Sequence, residues 1–122
     1  MTNAVERTDF VSIPVQDMDR ARTFYRDVLG MQSPNWEAGW PEIETGNVSL
    51  YLVDPAAFGA EFTPHCAPIA LRVWDVAEAK RELEERGVTF AGERDTGVCN
   101  MAFFSDTEGN SLMLHRRYAP VE

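Results

Sequence analysis

The chain has 122 residues, enough for one hydrophobic core, and 44% of them are hydrophobic and 25% charged. These proportions are typical of a globular protein. Its 11 Lys and Arg stand against 20 Asp and Glu, and the net charge of −9 argues against nucleic acid and anionic membranes as partners. We expect a cytoplasmic location, because no apolar run has the length of a membrane span and the first residues are polar.

One segment plan occurs twice in the sequence. Residues 10–30 and residues 68–87 each open with alternating apolar residues, pass a Val two places before an Asp, and run with helical spacing to a Gly. Each helix is predicted to begin at the Asp, as its N-cap, and to end at the Gly. The sequence therefore indicates an internal repeat of one structural unit, strand followed by helix.

The remainder of each unit is predicted to be mostly strand. Residues 31–54 predict two or three antiparallel strands, and the alternation of VSLYLV places Leu50 on one face and Tyr51 on the other. The second unit predicts strands over 88–90, 98–105 and 111–118, with a tight turn at 106–110. The expected fold class is therefore α+β, with few helical residues.

The opening DFVSIPVQDMDRARTFYRDVLGM, its shorter echo at 68–87 and the closing FFSDTEGNSLMLHRRY resemble the vicinal oxygen chelate superfamily of glyoxalase, bleomycin-resistance and extradiol dioxygenase-like proteins. The resemblance covers about residues 8–118. It implies two tandem βαβββ modules, about 8–54 and 67–118, that are joined by a loop over 55–66.

The same resemblance implies one domain over residues 1–122, with a curled mixed sheet around a cleft. It also implies a homodimer. In families of this kind the modules pair within one chain or are swapped between chains, and the sequence favours neither arrangement.

Enzymes of that superfamily bind a metal with His and Glu, using one position on the first strand and one on the last strand of each module. By the resemblance, these positions carry Phe10, Pro68, Met113 and either Tyr51, by the strand alternation, or Leu50, counted from the Gly-Asn turn. None of these side chains is a usual ligand of a divalent metal. A standard metalloenzyme is therefore not expected, and no cofactor is predicted.

We interpret the substituted positions as part of an apolar, aromatic surface that binds a small organic ligand. The predicted ligand-binding residues are Phe10, Trp36, Trp40, Tyr51, Phe62, Phe104, Met113 and His115. The expected function is metal-free binding or sequestration, similar to that of bleomycin-resistance proteins, and the net charge of −9 suits a cationic ligand.

Two alternatives remain open at this point. The first is a lyase, isomerase or dioxygenase of the glyoxalase type, which would use either acid–base chemistry at His115 or a displaced metal. A displaced metal would need several donors to converge from the set His65, Cys66, Cys99, Asp106, Glu108 and His115. The second alternative is a structural or regulatory dimer in which the cleft is only part of the hydrophobic core. Both cysteines lie outside any CxxC motif and are expected to be free thiols.

Overall fold

The computed structural model describes residues 4–120, which divide after Phe62 into two compact units. We call the part up to Phe62 unit 1 and the part from Thr63 onward unit 2. One mixed sheet has three strands and the other has four, and helices are few, so the predicted α+β class is confirmed. Within the described range, no helix combines the length and the apolar character that crossing a bilayer requires.

Unit 1 forms a three-stranded sheet in the order β1-β3-β2. Its elements in chain order are strand β1 (Phe10–Pro14), helix α1 (Met18–Thr23), a π-helical turn (Phe24–Val28), strand β2 (Glu42–Ile43), strand β3 (Ser49–Val53) and a 3-10 turn (Pro55–Phe58). Strand β1 runs parallel to β3, and β2 runs antiparallel to it. The third strand allowed for residues 31–54 is reduced to a single bridge between Gln32 and Glu44.

Local sequence signals explain how the first helix begins and ends. The carboxylate of Asp17 accepts a hydrogen bond from the backbone N–H of Arg20 at 3.1 Å, which is the predicted N-cap. The helix widens into the π-helical turn, and Gly30 then adopts a positive φ of 69°. Between these ends the chain buries Phe24 and Tyr25, so the predicted apolar helix face is confirmed.

Unit 2 forms a four-stranded sheet in the order β4-β7-β6-β5, with β4 parallel to β7. Its elements are strand β4 (Ile69–Arg72), helix α2 (Val76–Glu85), strand β5 (Gly92–Asp95), strand β6 (Cys99–Ser105) and strand β7 (Ser111–Arg117). The prediction of a strand at 88–90 is wrong. The backbone N–H of Val88 donates to the carbonyl of Leu83 at 3.0 Å, so it completes the end of α2 and is not available to the sheet.

Side-chain alternation gives each sheet two different faces. The buried face in unit 1 carries Ile13, Leu50 and Leu52, and α1 packs near β3. The buried face in unit 2 carries Ala102, Phe104, Leu112 and Leu114, and α2 packs on β6 and β7. We call the opposite side of each sheet its second face. Residues of the second face do not pack under the helix of their own unit, so they are available for other contacts.

The turn between β6 and β7 is tied together by buried polar groups. The backbone N–H of Asp106 donates to the carbonyl of Asn110 at 3.0 Å, which confirms the predicted tight turn. The Asn110 side chain is 0% exposed, donates to the Asp106 carboxylate at 2.9 Å and accepts from the backbone N–H of His65 at 2.8 Å. The same side chain therefore holds the segment before β4 against the start of β7.

We predict that Asn110→Ala lowers the free energy of unfolding by about 2–3 kcal/mol, because it removes the buried hydrogen bonds that the Asn110 side chain makes with the Asp106 carboxylate and with the His65 N–H. Urea unfolding followed by circular dichroism measures the change. The matched control is Asn47→Ala, at an exposed turn position of unit 1, for which we expect a loss below about 1 kcal/mol. Equal losses in the two variants would contradict the role given to Asn110.

Candidate functional site

The second face of unit 1 is built around two aromatic rings in contact. The ring centroids of Phe10 and Tyr51 are 4.8 Å apart with an angle of 64° between the planes, an edge-type contact. Phe10 is 52% exposed, whereas Leu50 is 4% exposed and lies on the buried face. Of the two positions left open by the sequence, Tyr51 therefore shares a face with Phe10 and Leu50 does not.

A carboxylate lies beside this aromatic pair. Glu42 on β2 is the register partner of Tyr51 and is half-buried. The hydroxyl of Ser49 donates to its carboxylate at 2.8 Å, and its backbone N–H donates to the side-chain oxygen of Asn35 at 2.9 Å. Among residues 4–120 no basic side chain forms an ion pair with Glu42. Its negative charge is therefore balanced only by neutral donors.

The pKa of Tyr51 depends on burial and on the carboxylates near this face. Partial burial of the phenol raises the pKa of Tyr51, and the charge and hydrogen bond of Glu42 raise it further, followed by the charge of Glu44. Each of these effects disfavours the phenolate. The carboxylates of Glu42 and Glu44 therefore act on the Tyr51 phenol in addition to burial.

Three further aromatic residues predicted to bind ligand lie elsewhere in unit 1. Trp40 is 45% exposed and makes an edge contact with Phe58, with ring centroids 6.0 Å apart. Trp36 is half-buried, and its backbone carbonyl accepts a hydrogen bond from the guanidinium of Arg22. Phe62 is half-buried at the end of the unit. In the described part of the chain, no ring contact connects these residues to Phe10 or Tyr51.

The second face of unit 2 carries Met113 and His115, which are half-buried on β7. Their register partners on β6 are Phe103 and Met101, respectively. These four side chains form two adjacent rows of a soft, apolar surface with one imidazole. Met101 and Phe103 were absent from the sequence prediction, although counting outward from the closed turn at 106–110 pairs each of them with its partner.

Strand β4 lies at the edge of the sheet next to β7 and extends this face. Ala70 pairs with Met113, and Arg72 pairs with His115, so an exposed arginine shares this face with the histidine. Neither residue was predicted, because the parallel register of β4 and β7 depends on a crossover that no local pattern specifies. Pro68 is half-buried and precedes the strand, which begins at Ile69.

Phe104 differs from the other predicted ligand-binding residues. It is 3% exposed on the buried face of unit 2, where its ring lies 5.1 Å from that of Phe90. Its neighbour Phe103 points to the second face because adjacent strand residues alternate. Phe104 is therefore a core residue of unit 2, and Phe103 takes its place in the candidate surface.

The side chains present do not fit the metal of the superfamily enzymes. The positions that would supply its ligands carry Phe10, Tyr51, Pro68 and Met113. The described residues also contain no group of three or more His, Cys, Asp or Glu side chains arranged to hold a metal ion. The donors named for a displaced site are included in that finding. Cys66 and Cys99 are free thiols, as predicted, one exposed and one buried.

Comparison with known proteins identifies the family of the chain. A model of the Glyoxalase/Bleomycin resistance protein/Dioxygenase superfamily matches residues 7–114. The chain belongs to this superfamily. The resemblance inferred from the sequence is thus confirmed. Among proteins with curated descriptions, none matches the chain significantly.

Several solved structures are similar to this chain over nearly its whole length. TnmS3, an antibiotic binding protein from Streptomyces sp. CB03234, is 28% identical with a TM-score of 0.77, covering 95% of this chain and 99% of that chain. A glyoxalase/bleomycin resistance protein from the same organism is 28% identical with a TM-score of 0.71, covering 90% and 100%. A superfamily member from Sphaerobacter thermophilus DSM 20745, at 24% identity, a TM-score of 0.74 and coverage of 91% and 97%, shows the shared fold.

We predict that Glu42→Gln lowers the pKa of Tyr51 toward its ordinary value, with a residual elevation from burial, because it removes the nearest negative charge. The ¹³Cζ chemical shift of labelled tyrosine, followed through alkaline pH, measures this. Asp95→Asn is the matched control: it should lower the pKa of Tyr118, which a hydrogen bond to Asp95 raises, and leave Tyr51 unchanged. An unchanged Tyr51 titration in Glu42→Gln would refute the assignment.

Proposed function

We propose that the protein binds a small organic molecule on its second faces, without converting it by metal chemistry, and that it favours ligands with a cationic group and a flat aromatic part. The observation that carries the proposal is the set of four side chains, Phe10, Tyr51, Pro68 and Met113, at the positions where superfamily enzymes hold their metal. These side chains offer burial, stacking and sulfur–aromatic contact instead of coordination.

The antibiotic-binding character of TnmS3 supports the binding part of the proposal. That protein shares 28% of its residues with this chain over 95% of the chain's length. A relative described as a binding protein favours retention of a ligand over turnover, and the missing metal donors favour the same outcome. We therefore extend binding, although not the particular compound, from that relative to this chain.

The preference for a cation follows from the second face of unit 1. Glu42 is half-buried with only neutral hydrogen-bond donors among the described residues, and the Phe10 and Tyr51 rings lie beside it. A ligand cation would gain both the carboxylate and the negative faces of the rings. The net charge of −9 adds a weaker attraction at long range.

Acid–base catalysis by His115 has less support. A general base is usually oriented by a second polar group that fixes its tautomer. Within residues 4–120, the His115 side chain has no hydrogen-bond partner, and its register neighbours are Met101 and Arg72. We therefore assign His115 to the rim of the binding surface. The proposal also includes a cytoplasmic homodimer, which composition and superfamily resemblance favour.

The cation preference is tested with (2-naphthyl)trimethylammonium as the probe, titrated into the full chain by isothermal titration calorimetry. We expect Glu42→Gln to weaken binding about tenfold, the effect of one partly desolvated charge contact. Glu37→Gln is the control, because that carboxylate is exposed and lies against Arg26, outside the second face. A probe that binds Glu42→Gln and the parent protein equally would refute the assigned cation site.

The metal part is tested by elemental analysis of chain purified without chelators and dialysed against zinc, nickel, manganese or iron. We expect less than about 0.1 mole of any metal per mole of chain, because no described cluster supplies three ligands. Carbonic anhydrase treated in the same way serves as the positive control. A stoichiometry near one would refute the metal-free proposal, and its loss in His115→Ala would then support the displaced-metal enzyme.

A further inference from the structure

Unit 2 contains an open pocket of about 760 Å³ that shares one lining residue, Met101, with the second face of the unit. Its floor is a row of side chains across three strands, in which Arg116 pairs with Asn100 and Asn100 pairs with Asp95. Alternation places this row on the same side of the sheet as Leu114, opposite Met113 and His115. The volume lies within the range of small-molecule pockets.

An exposed tryptophan forms one wall of the pocket. Trp74 lies between β4 and α2, and its side chain is 84% exposed. The guanidinium carbon of Arg116 lies 4.8 Å from the centroid of the indole ring, at cation–π distance. An indole this exposed contributes little to folding, and this one lies beside a cavity. The arrangement is typical of a surface that contacts a ligand.

The carboxylates that line the pocket already have partners. The hydroxyl of Tyr118 donates to Asp95 at 2.7 Å. The carboxylate of Glu93 lies 3.2 Å from the ammonium of Lys80. Asp75 is the N-cap of α2 and accepts a backbone hydrogen bond there. Each acidic group that a ligand would meet in the pocket therefore already has an ion-pair or hydrogen-bond partner.

The guanidinium of Arg116, unlike these carboxylates, has no polar partner among the described residues. Within residues 4–120 its guanidinium forms neither a hydrogen bond nor an ion pair, and it stacks only on Trp74. Arg117 differs, because its guanidinium donates to the carbonyls of Ala119 and Pro120. A planar guanidinium with free N–H groups binds carboxylate or sulfonate oxygens in a bidentate manner.

We propose that this pocket is a second ligand site, which takes a planar aromatic anion. The aromatic part of the ligand contacts Trp74 and Tyr118, and its carboxylate or sulfonate pairs with Arg116. The site has the opposite charge preference to the second face of unit 1 and lies on the other side of its own sheet from Met113. It does not depend on the function proposed above.

Naphthalene-2-sulfonate is the probe that tests the site, titrated into the full chain by isothermal titration calorimetry. We expect one bound molecule per chain, and at least tenfold weaker binding in Arg116→Gln and in Trp74→Ala. Arg81→Gln is the matched control, because Arg81 is exposed on α2 and outside the pocket, and it should bind as the parent does. Glu42→Gln should also bind as the parent does, which separates this site from the cation site.

Three outcomes would overturn the proposal. The first is no binding of the sulfonate at millimolar concentration. The second is an equal loss in Arg81→Gln and Arg116→Gln, which would indicate general charge attraction. The third is a change from dimer to monomer in Trp74→Ala, seen by analytical ultracentrifugation, with unchanged sulfonate affinity, which would assign Trp74 to a subunit interface. Since Trp74 is 84% exposed, its replacement should leave the fold intact, and a thermal unfolding scan checks this.

Discussion

The parallel pairing of the first strand of each unit with its last strand determines the rest of the structure. Strand β1 pairs with β3, and β4 pairs with β7. Parallel neighbours require a crossover, and in each unit a helix provides it and covers one side of the sheet. Since strand residues alternate, each central strand must then be apolar on the helix side and is free to carry other chemistry on the second face.

Because of this alternation, two adjacent residues of a strand have different surroundings, one in the core and the other on the second face. Leu50 and Phe104 are core residues, whereas their sequence neighbours Tyr51 and Phe103 belong to the second faces. A shift of register by one residue would exchange the two sets. The buried hydrogen bonds of Asn110 oppose such a shift in unit 2, because they hold the turn, the segment before β4 and the start of β7 together.

The electrostatics of the two units differ although their strand–helix plan is the same. In unit 1 a carboxylate that accepts a hydrogen bond from the Ser49 hydroxyl lies beside two aromatic rings. In unit 2 a guanidinium without an acidic partner in the described range lies on an indole. A shared scaffold thus carries oppositely charged side chains beside its aromatic rings, as expected when the fold is a platform and the side chains decide the chemistry. The superfamily's metal positions, now occupied by apolar and aromatic residues, follow the same rule.

The sequence by itself determined the superfamily, the α+β class, the helix starts at Asp17 and Asp75 and the tight turn at 106–110. These features depend on neighbours within a few residues, where capping, periodicity and turn chemistry act directly. The superfamily resemblance also assigned Phe10, Pro68 and Met113 to the expected metal positions, whereas the fourth position stayed open between Tyr51 and Leu50.

Only the tertiary structure decided which residues share a surface. The parallel registers bring Ala70 and Arg72 beside Met113 and His115, and the two-residue strand β2 brings Glu42 to Tyr51. The contact of Trp74 with Arg116 spans more than forty positions of the chain. Such pairings are set by the packing of helices on sheets and by long-range register, and neither can be deduced from the residues next to each position in the sequence.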